Sequence, residues 1–541
     1  MAKSTLFNAL HKATRLAQLA NHLDRPIEEL AGPVATAQRL ASRRDFLRVG
    51  AYAGAGLALS ACVPARLGMG GNEEEVAIVG AGIAGLTAAY RLRQAGVRVR
   101  VFEAQSRIGG RMLSLRGFFP AGQVCELGGE LIDSGHTHMR GLAQELGLEL
   151  DDLLIDKPGI EQELWFAGGR RYTTAQVGAA LQPLLRAVER DMARVGDGDI
   201  TYKTPQGLEA LDRQTLGSWL RRQGLGGWAL RLVETAYATE MGLDCDQQSA
   251  LNFHTFVGTD PFAILGESDE RFHVRGGNDL VVQGLGKRLD DAIEPGQRLE
   301  ALRQEADGGF TLSFIRDSAA TEVRAQRVLL ALPFSLLRQV RLDVPLSPVK
   351  RRSIGEMRYG TNAKLMIGFA SRTWREKHNS NGSVYSDLPF QTSWETSRAQ
   401  AGAEGILTNF VGGAHGLEIG QGTPEHQAGL AVRDLEKIFP GIAATRRGAR
   451  EVRMHWPSHP YVQGSFACFT PGQWTGINGA AGEPEGRLFF AGEHTSLAAQ
   501  GFMEGGCESG ARAAAEILAD LKAASRQAGL VRRLAYGSVS G

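Results

Sequence analysis

The stretch EVAIVGAGIAGLTAAYRLRQAGVRVRVFEAQ, residues 75–105, leaves this chain few folds to choose from. Val76-Ala77-Ile78-Val79 is a continuous apolar run of the kind buried on both faces of a parallel sheet, and Gly80-Ala81-Gly82-Ile83-Ala84-Gly85 comes directly after it without a spacer. A helical pattern then runs from Ala84 to Gln94, and residues 97–102 read as a second strand leading into Glu103, Ala104 and Gln105. Gly80 permits a tight turn, Gly82 lets the backbone approach a pyrophosphate, and Gly85 lets the helix pack closely on the strand with its first amides aimed at the phosphates. Glu103 comes about 20 residues after the glycines, where a carboxylate can accept hydrogen bonds from a ribose diol. An acid there favours an unphosphorylated adenosine ribose, so the spacing predicts FAD or NAD over NADP.

The remaining chain is long for one such unit. At 541 residues it calls for a large, interleaved architecture rather than a small binding module. Its 60 basic and 59 acidic side chains nearly cancel, so no overall field recruits nucleic acid. Glycine is the outlier at 69 residues, consistent with many turns and close backbone approaches to a ligand. The twelve histidines show no metal-ligand spacing, and Cys125, Cys245, Cys468 and Cys507 show no CxxC pattern, so neither a metal site nor a disulfide is predicted.

The residues just beyond Glu103 select the flavin. Arg107-Ile108-Gly109-Gly110-Arg111 resembles the RxGGR continuation of the flavin amine oxidase superfamily, whose backbone and arginine hold the FAD pyrophosphate. Glu126-Leu127-Gly128-Gly129-Glu130-Leu131-Ile132 resembles that family's LGG segment beside the isoalloxazine. Near the other end, residues 487–494, RLFFAGEH, and residues 500–506, QGFMEGG, resemble its second FAD signature. The resemblance makes Gly492 and Glu493 ribityl or pyrophosphate contacts, turns the amides around Met503 toward the flavin, and brings the backbone of Leu299 to the adenine. It covers about residues 74 to 522, with gaps. The implied fold is α/β: a Rossmann-like FAD-binding domain assembled from residues 74–150, 271–344 and 451–522, interleaved with an α+β substrate domain from residues 151–270 and 345–450. Residues 523–541 are left as a C-terminal tail. Leu181, Leu184, Leu185 and Val188 give the first insert helical periodicity, and residues 364–369 of the second read as a strand.

Catalytic assignments rest on the same resemblance. Residues 357–364, MRYGTNAK, are similar to the segment whose lysine holds a water against flavin N5, which makes Lys364 the candidate; a buried ammonium can stabilise charge during flavin reoxidation. His455-Trp456 through residues 461–466, YVQGSF, resembles the W...YxxG segment, with Trp456 at the cofactor and Phe466 and Phe502 framing the amine where monoamine oxidases carry tyrosines. The covalent flavin cysteine of some members would fall at Ser465, so the flavin is expected to be non-covalent. Asp133 falls where polyamine oxidases carry an acid and Glu130 is close in sequence; the two could receive a substrate cation, or either could be solvated or cap the next helix. Amino-acid oxidases need an arginine for the substrate carboxylate. GGELID has none, and Arg358 or Arg375 could supply one.

The N-terminus adds a compartment. Arg43-Arg44 leads through SRRDFLR into an apolar run from Val49 to Ala61 of about 13 residues, shorter than the about 20 a membrane-spanning helix needs. It resembles a twin-arginine export signal, and Leu59-Ser60-Ala61-Cys62 resembles a lipobox whose cysteine would be acylated, so residues 1–62 read as a signal region that ends in the periplasm or cell envelope. The part before Arg43 is long for a leader; an upstream start or an extra helical prefix would each account for it. The twin-arginine route carries folded proteins, as a cytoplasmically inserted FAD requires.

Together these readings imply oxidative deamination: a hydride equivalent passes from the amine's alpha carbon to flavin N5, the imine hydrolyses, and oxygen or an envelope electron carrier takes the electrons. An L-amino-acid oxidase, a desaturase or protoporphyrinogen-oxidase type enzyme, and a non-catalytic flavin-binding protein are the alternatives. The sequence leaves the oligomeric state open.

Overall fold

The computed structural model describes residues 5–30, 75–193, 195–196, 198–257 and 269–537. The chain separates into two compact units. The first takes Met1–Pro64, Leu113–Asn278 and Met357–Asn478, and the second takes Ala65–Met112, Asp279–Glu356 and Gly479–Gly541. Both are built from separated stretches of chain. Residues 113–150, 271–278 and 451–478, expected with the nucleotide-binding segments, group with the first unit, and residues 345–356 group with the second; within the first unit Leu150–Asp152 pairs with Phe272–Val274, and Ala467–Cys468 with Arg358–Tyr359.

In the second unit, five parallel strands stand in the order Leu488–Phe490, Arg327–Leu330, Val76–Val79, Val99–Glu103, Ile293–Pro295. The central strand is buried at every residue, as its uninterrupted apolar run requires. The chain leaves that strand at Gly80, whose φ of +105° suits a residue without Cβ, and enters the helix Ile83–Gln94. A Cβ on Gly85 would lie 2.0 Å from the Gly80 carbonyl oxygen, so this glycine sets how closely helix and turn approach. The helix beginning at Met503 packs against Ile83–Gln94, and Ile83 Cγ2 lies 2.6 Å from where a Cβ on Gly506 would stand. That helix runs on to Gly537, so residues 523–537 continue an element rather than forming a separate tail. A four-stranded sheet completes the unit; its Phe314 stacks on Phe102 with ring centroids 4.5 Å apart.

The first unit centres on a seven-stranded sheet running from Arg446–His455 through Ala363–Phe369, Gly405–Val411, Thr392–Glu395, Val384–Ser386 and Leu164–Ala167 to Arg170–Tyr172. Its helical part includes Thr174–Met192, where the periodic Leu181, Leu184, Leu185 and Val188 are all buried. Gly227–Met241 and Leu251–Val257 share that core. The same core includes Leu10, Ala13, Leu16 and Ala17 from a helix at Thr5–Leu23. Residues 5–30 are therefore a folded part of the first unit, the helical prefix that a leader-only reading of residues 1–62 omits. Arg43, Arg44, the apolar run 49–61 and Cys62 lie outside the described residues. Cys125, Cys245, Cys468 and Cys507 are buried, and no disulfide joins them among the described residues.

Candidate functional site

Of the sequence-predicted site residues, the second unit gathers Gly80, Gly82, Ala84, Gly85, Glu103, Ala104, Gln105, Gly109, Gly110, Arg111, Leu299, Gly492, Glu493, Phe502 and Met503. The first unit holds Gly128, Gly129, Glu130, Asp133, Lys364, Trp456 and Phe466.

In the second unit the RIGGR segment lies along the glycine turn: Gly109 donates its N–H to the Ala81 carbonyl at 2.8 Å and bridges Gly82. Arg111 Nη1 donates to Glu493 Oε1 at 2.9 Å, and the Gly501 N–H donates to Glu493 Oε2 at 2.8 Å. One carboxylate thus ties the RIGGR segment to two stretches near the far end of the chain, 382 residues on in sequence from Arg111 to Glu493. Glu103 is buried and accepts the N–H groups of Ala81 and Gln105, both at 2.9 Å. Burial pushes its carboxyl up, opposed by those two backbone donors and by Arg107. Leu299 is buried on the strand Arg298–Gln304, immediately before a β-bulge, and Met503 opens its helix.

These residues fit a dinucleotide on two observations. The helix Ile83–Gln94 starts at Gly82 with no side chain capping its first amides, and nothing lies within 4 Å of where a Gly82 Cβ would be. Open space therefore fronts an uncapped helix N-terminus, which favours a phosphate group. Two carboxylate lone pairs of Glu103 are used by backbone donors, leaving acceptor capacity for ribose hydroxyls.

The first unit holds a second constellation, built around the backbone of residues 126–130. Its carbonyls are held by side chains from three other stretches of chain. Trp456 Nε1 donates to the Leu127 oxygen at 3.1 Å, Lys364 Nζ to the Gly128 oxygen at 2.7 Å, and Asn278 Nδ2 to the oxygens of Gly129 and Glu130 at 3.0 and 2.7 Å. A glycine pair outside any regular ladder needs such donors when buried. Lys364 sits on the strand Ala363–Phe369, buried at every position, and its ammonium also reaches Glu130 Oε2 at 2.7 Å and, more weakly, the Glu126 oxygen at 3.4 Å. The other Glu130 oxygen accepts Trp394 Nε1 at 2.9 Å and Thr396 Oγ1 at 3.2 Å. Burial alone would raise the Glu130 carboxyl, but Lys364 and Trp394 outweigh it and hold it below the usual carboxylate range. His273 Nε2 donates to Glu126 Oε1 at 2.9 Å; burial opposes the charged ring, but the carboxylate prevails and its pKa rises.

Sequence reasoning missed Trp394, Thr396, Asn278 and His273 as members of this cluster. Asn278 follows the glycine pair Gly276-Gly277, whereas Trp394 and His273 come from strands whose pairing partners lie far away in the chain, and Thr396 comes from the turn after one of them.

The two carboxylates that could receive a substrate cation have different partners. Glu130 is occupied by Lys364, Trp394 and Thr396, and the cavity it lines with Leu131, His273 and Arg398 offers about 10 Å³, room for one water. Asp133 is buried in a separate turn, accepting the Glu270 N–H at 2.8 Å, while its own N–H donates to His136 Nδ1 at 3.1 Å. Of the two arginines that could meet a substrate carboxylate, Arg358 is exposed. Arg375 is held by Asp156 at 2.7 Å and by Glu395. Phe466 and Phe502 are both partly buried, each in its own unit. Ser465 is buried and donates to Asn362 Oδ1 at 2.6 Å.

Residues 83–518 match the family model described as flavin containing amine oxidoreductase. The chain is 29% identical over 466 residues to an L-amino-acid oxidase of Siganus canaliculatus, covering 82% of this chain and 85% of the relative. It is 26% identical over 456 residues to an L-amino acid dehydrogenase of Synechocystis sp., covering 82% and 94%. Its fold is similar to that of the cyclohexylamine oxidase from Brevibacterium oxydans IH-35A, with a TM-score of 0.73, 24% identity, and coverage of 83% of this chain and 100% of the other. The chain belongs to the flavin containing amine oxidoreductase family and is a FAD-dependent oxidoreductase acting on amines.

Proposed function

We propose that the protein oxidises a compound bearing a single free amino group, either a simple monoamine or an L-amino acid, to the imine, which water hydrolyses to a carbonyl compound. The observation that carries this reading is the engagement of Glu130 and Asp133. Both carboxylates that could anchor a second ammonium are buried and bonded to other groups, so a diamine finds no free anchor there. The L-amino-acid reading draws on the two named relatives.

The flavin, when bound, supplies the two-electron acceptor. The chain's own residues do the rest. Glu103, the uncapped amides after Gly82, and the Arg111–Glu493 clamp are assigned to hold the nucleotide end. Lys364 anchors the Gly128 carbonyl and is ion-paired with Glu130. An apolar surround at the amine, of the kind Phe466 offers in the first unit, would favour the neutral form by desolvation, so no side-chain base is required. Ser465 in place of a cysteine supports non-covalent flavin, to be checked by its release on acid precipitation. Export by the twin-arginine route to the periplasm, lipidation of Cys62, and electron transfer to oxygen or an envelope carrier are part of the same proposal. Anaerobic mixing of the holoenzyme with monoamines, diamines and L-amino acids tests it. The first or third class should bleach the visible flavin band, and bleaching by diamines alone would reverse the assignment.

A further inference from the structure

The helix Thr5–Leu23 precedes the twin-arginine segment, where a leader would be discarded, yet it is part of a hydrophobic core. Leu10, Ala13, Leu16, Ala17, Ala20 and, beyond the turn, Ile27 are each at most 4% exposed. They recur at helical spacing on one face and pack with the helices Thr174–Met192 and Gly227–Met241. The fit at Gly178 is close: a Cβ there would stand 2.7 Å from Ile27 Cδ1 and 2.8 Å from the Ala13 carbonyl oxygen. Polar groups are matched as well. Thr14 Oγ1 donates to the Leu10 oxygen at 2.7 Å, Arg15 Nη1 to Gln18 Oε1 at 3.0 Å, and Lys12 Nζ forms an ion pair with Glu163 at 3.0 Å.

We propose that residues 5–30 are a permanent constituent of the working enzyme. Any cut between Leu30 and the strand Val76–Val79, including one before Cys62, leaves them bound to the first unit as a separate, non-covalent polypeptide. Discarding them would uncover the apolar faces of Thr174–Met192 and Gly227–Met241 together, a patch of the kind that folded monomers rarely expose. The proposal is independent of the substrate reading and uses the export reading only for the place of the cut.

The test places a specific protease site between residues 31 and 74 of the full-length holoenzyme, cuts it, and resolves the product by size exclusion and native mass spectrometry. The N-terminal fragment should co-elute with the remaining chain and separate only in denaturant. Leu16→Asp, carried by the fragment alone, should weaken its retention by about a hundredfold or more, since a carboxylate would enter an apolar core. Native mass spectrometry of the enzyme recovered from its natural compartment should find residues 5–30 present, cut or uncut. Loss of the fragment from a folded, flavin-loaded enzyme, in either preparation, overturns the proposal, as does unchanged retention of the Leu16→Asp fragment.

Discussion

Replacing Lys364 by methionine removes one half of a buried ion pair whose side chains are only 7% and 8% exposed. The Glu130 carboxylate would remain, held by Trp394 and Thr396 alone, and the Gly128 carbonyl would lose its donor. Removing one partner of a buried, hydrogen-bonded pair costs about 3–5 kcal/mol, mostly from the charge left behind. Glu130→Gln should cost a comparable amount by orphaning the ammonium, while the Glu130→Gln/Lys364→Met double variant leaves no buried charge and should cost clearly less than the sum. Hydrogen exchange reads this locally. Amides of residues 126–130 and of the strand Ala363–Phe369 should exchange roughly a hundredfold to several thousandfold faster in each single variant, and partly recover in the double. Acid should act in the same direction. Glu130 has a folded pKa depressed below its unfolded value, so its contribution is complete above the unfolded carboxyl range and is lost as pH falls through the folded value. Wild-type exchange in single variants, or strictly additive losses in the double, would refute the coupling.

Glu103→Ala should weaken FAD retention about tenfold to a hundredfold, as a buried acceptor for ribose is lost; undiminished flavin after dialysis would contradict that role. His494, buried in the second unit against Phe334, has its pKa pushed down from 6.5 to about 3 by burial. The unfolded chain binds the extra proton between those values, so stability should fall as pH drops from about 6.5 toward 3, by at most about 1.4 kcal/mol per pH unit. His494→Gln should flatten that slope in an acid-unfolding series, and an unchanged slope would assign it to other groups. Changing Arg43-Arg44 to lysines should strand the enzyme in the cytoplasm on fractionation; normal export would remove the targeting assignment.

The nucleotide-binding turn was legible because its signals are local: an apolar strand, glycines at fixed offsets and a helix start all lie within residues 76–94. Lys364 was legible through its family resemblance, but its setting was not. Trp394 and Thr396 reach Glu130 from a hairpin more than 260 residues away in sequence, and no periodicity encodes that register. The partners of Glu130 and Asp133 were hidden for the same reason: the two carboxylates are close in sequence, yet Glu130 bonds to Lys364 and Asp133 to the Glu270 N–H, both from distant stretches of chain. The N-terminal helix was readable in principle, since Leu10, Ala13, Leu16, Ala17 and Ala20 repeat at three and four residues. Small alanines and intervening polar residues made that stripe look like leader composition.

The central claim is that FAD, held by the second unit's two remote glycine-containing segments, is reduced by an amine or amino acid. Purified full-length protein should be yellow or become so with added FAD, and its visible flavin band should bleach anaerobically with at least one monoamine or L-amino acid and return on admitting oxygen or an electron acceptor. A protein that stays colourless with excess FAD, or stays yellow with every amino compound offered, contradicts that claim.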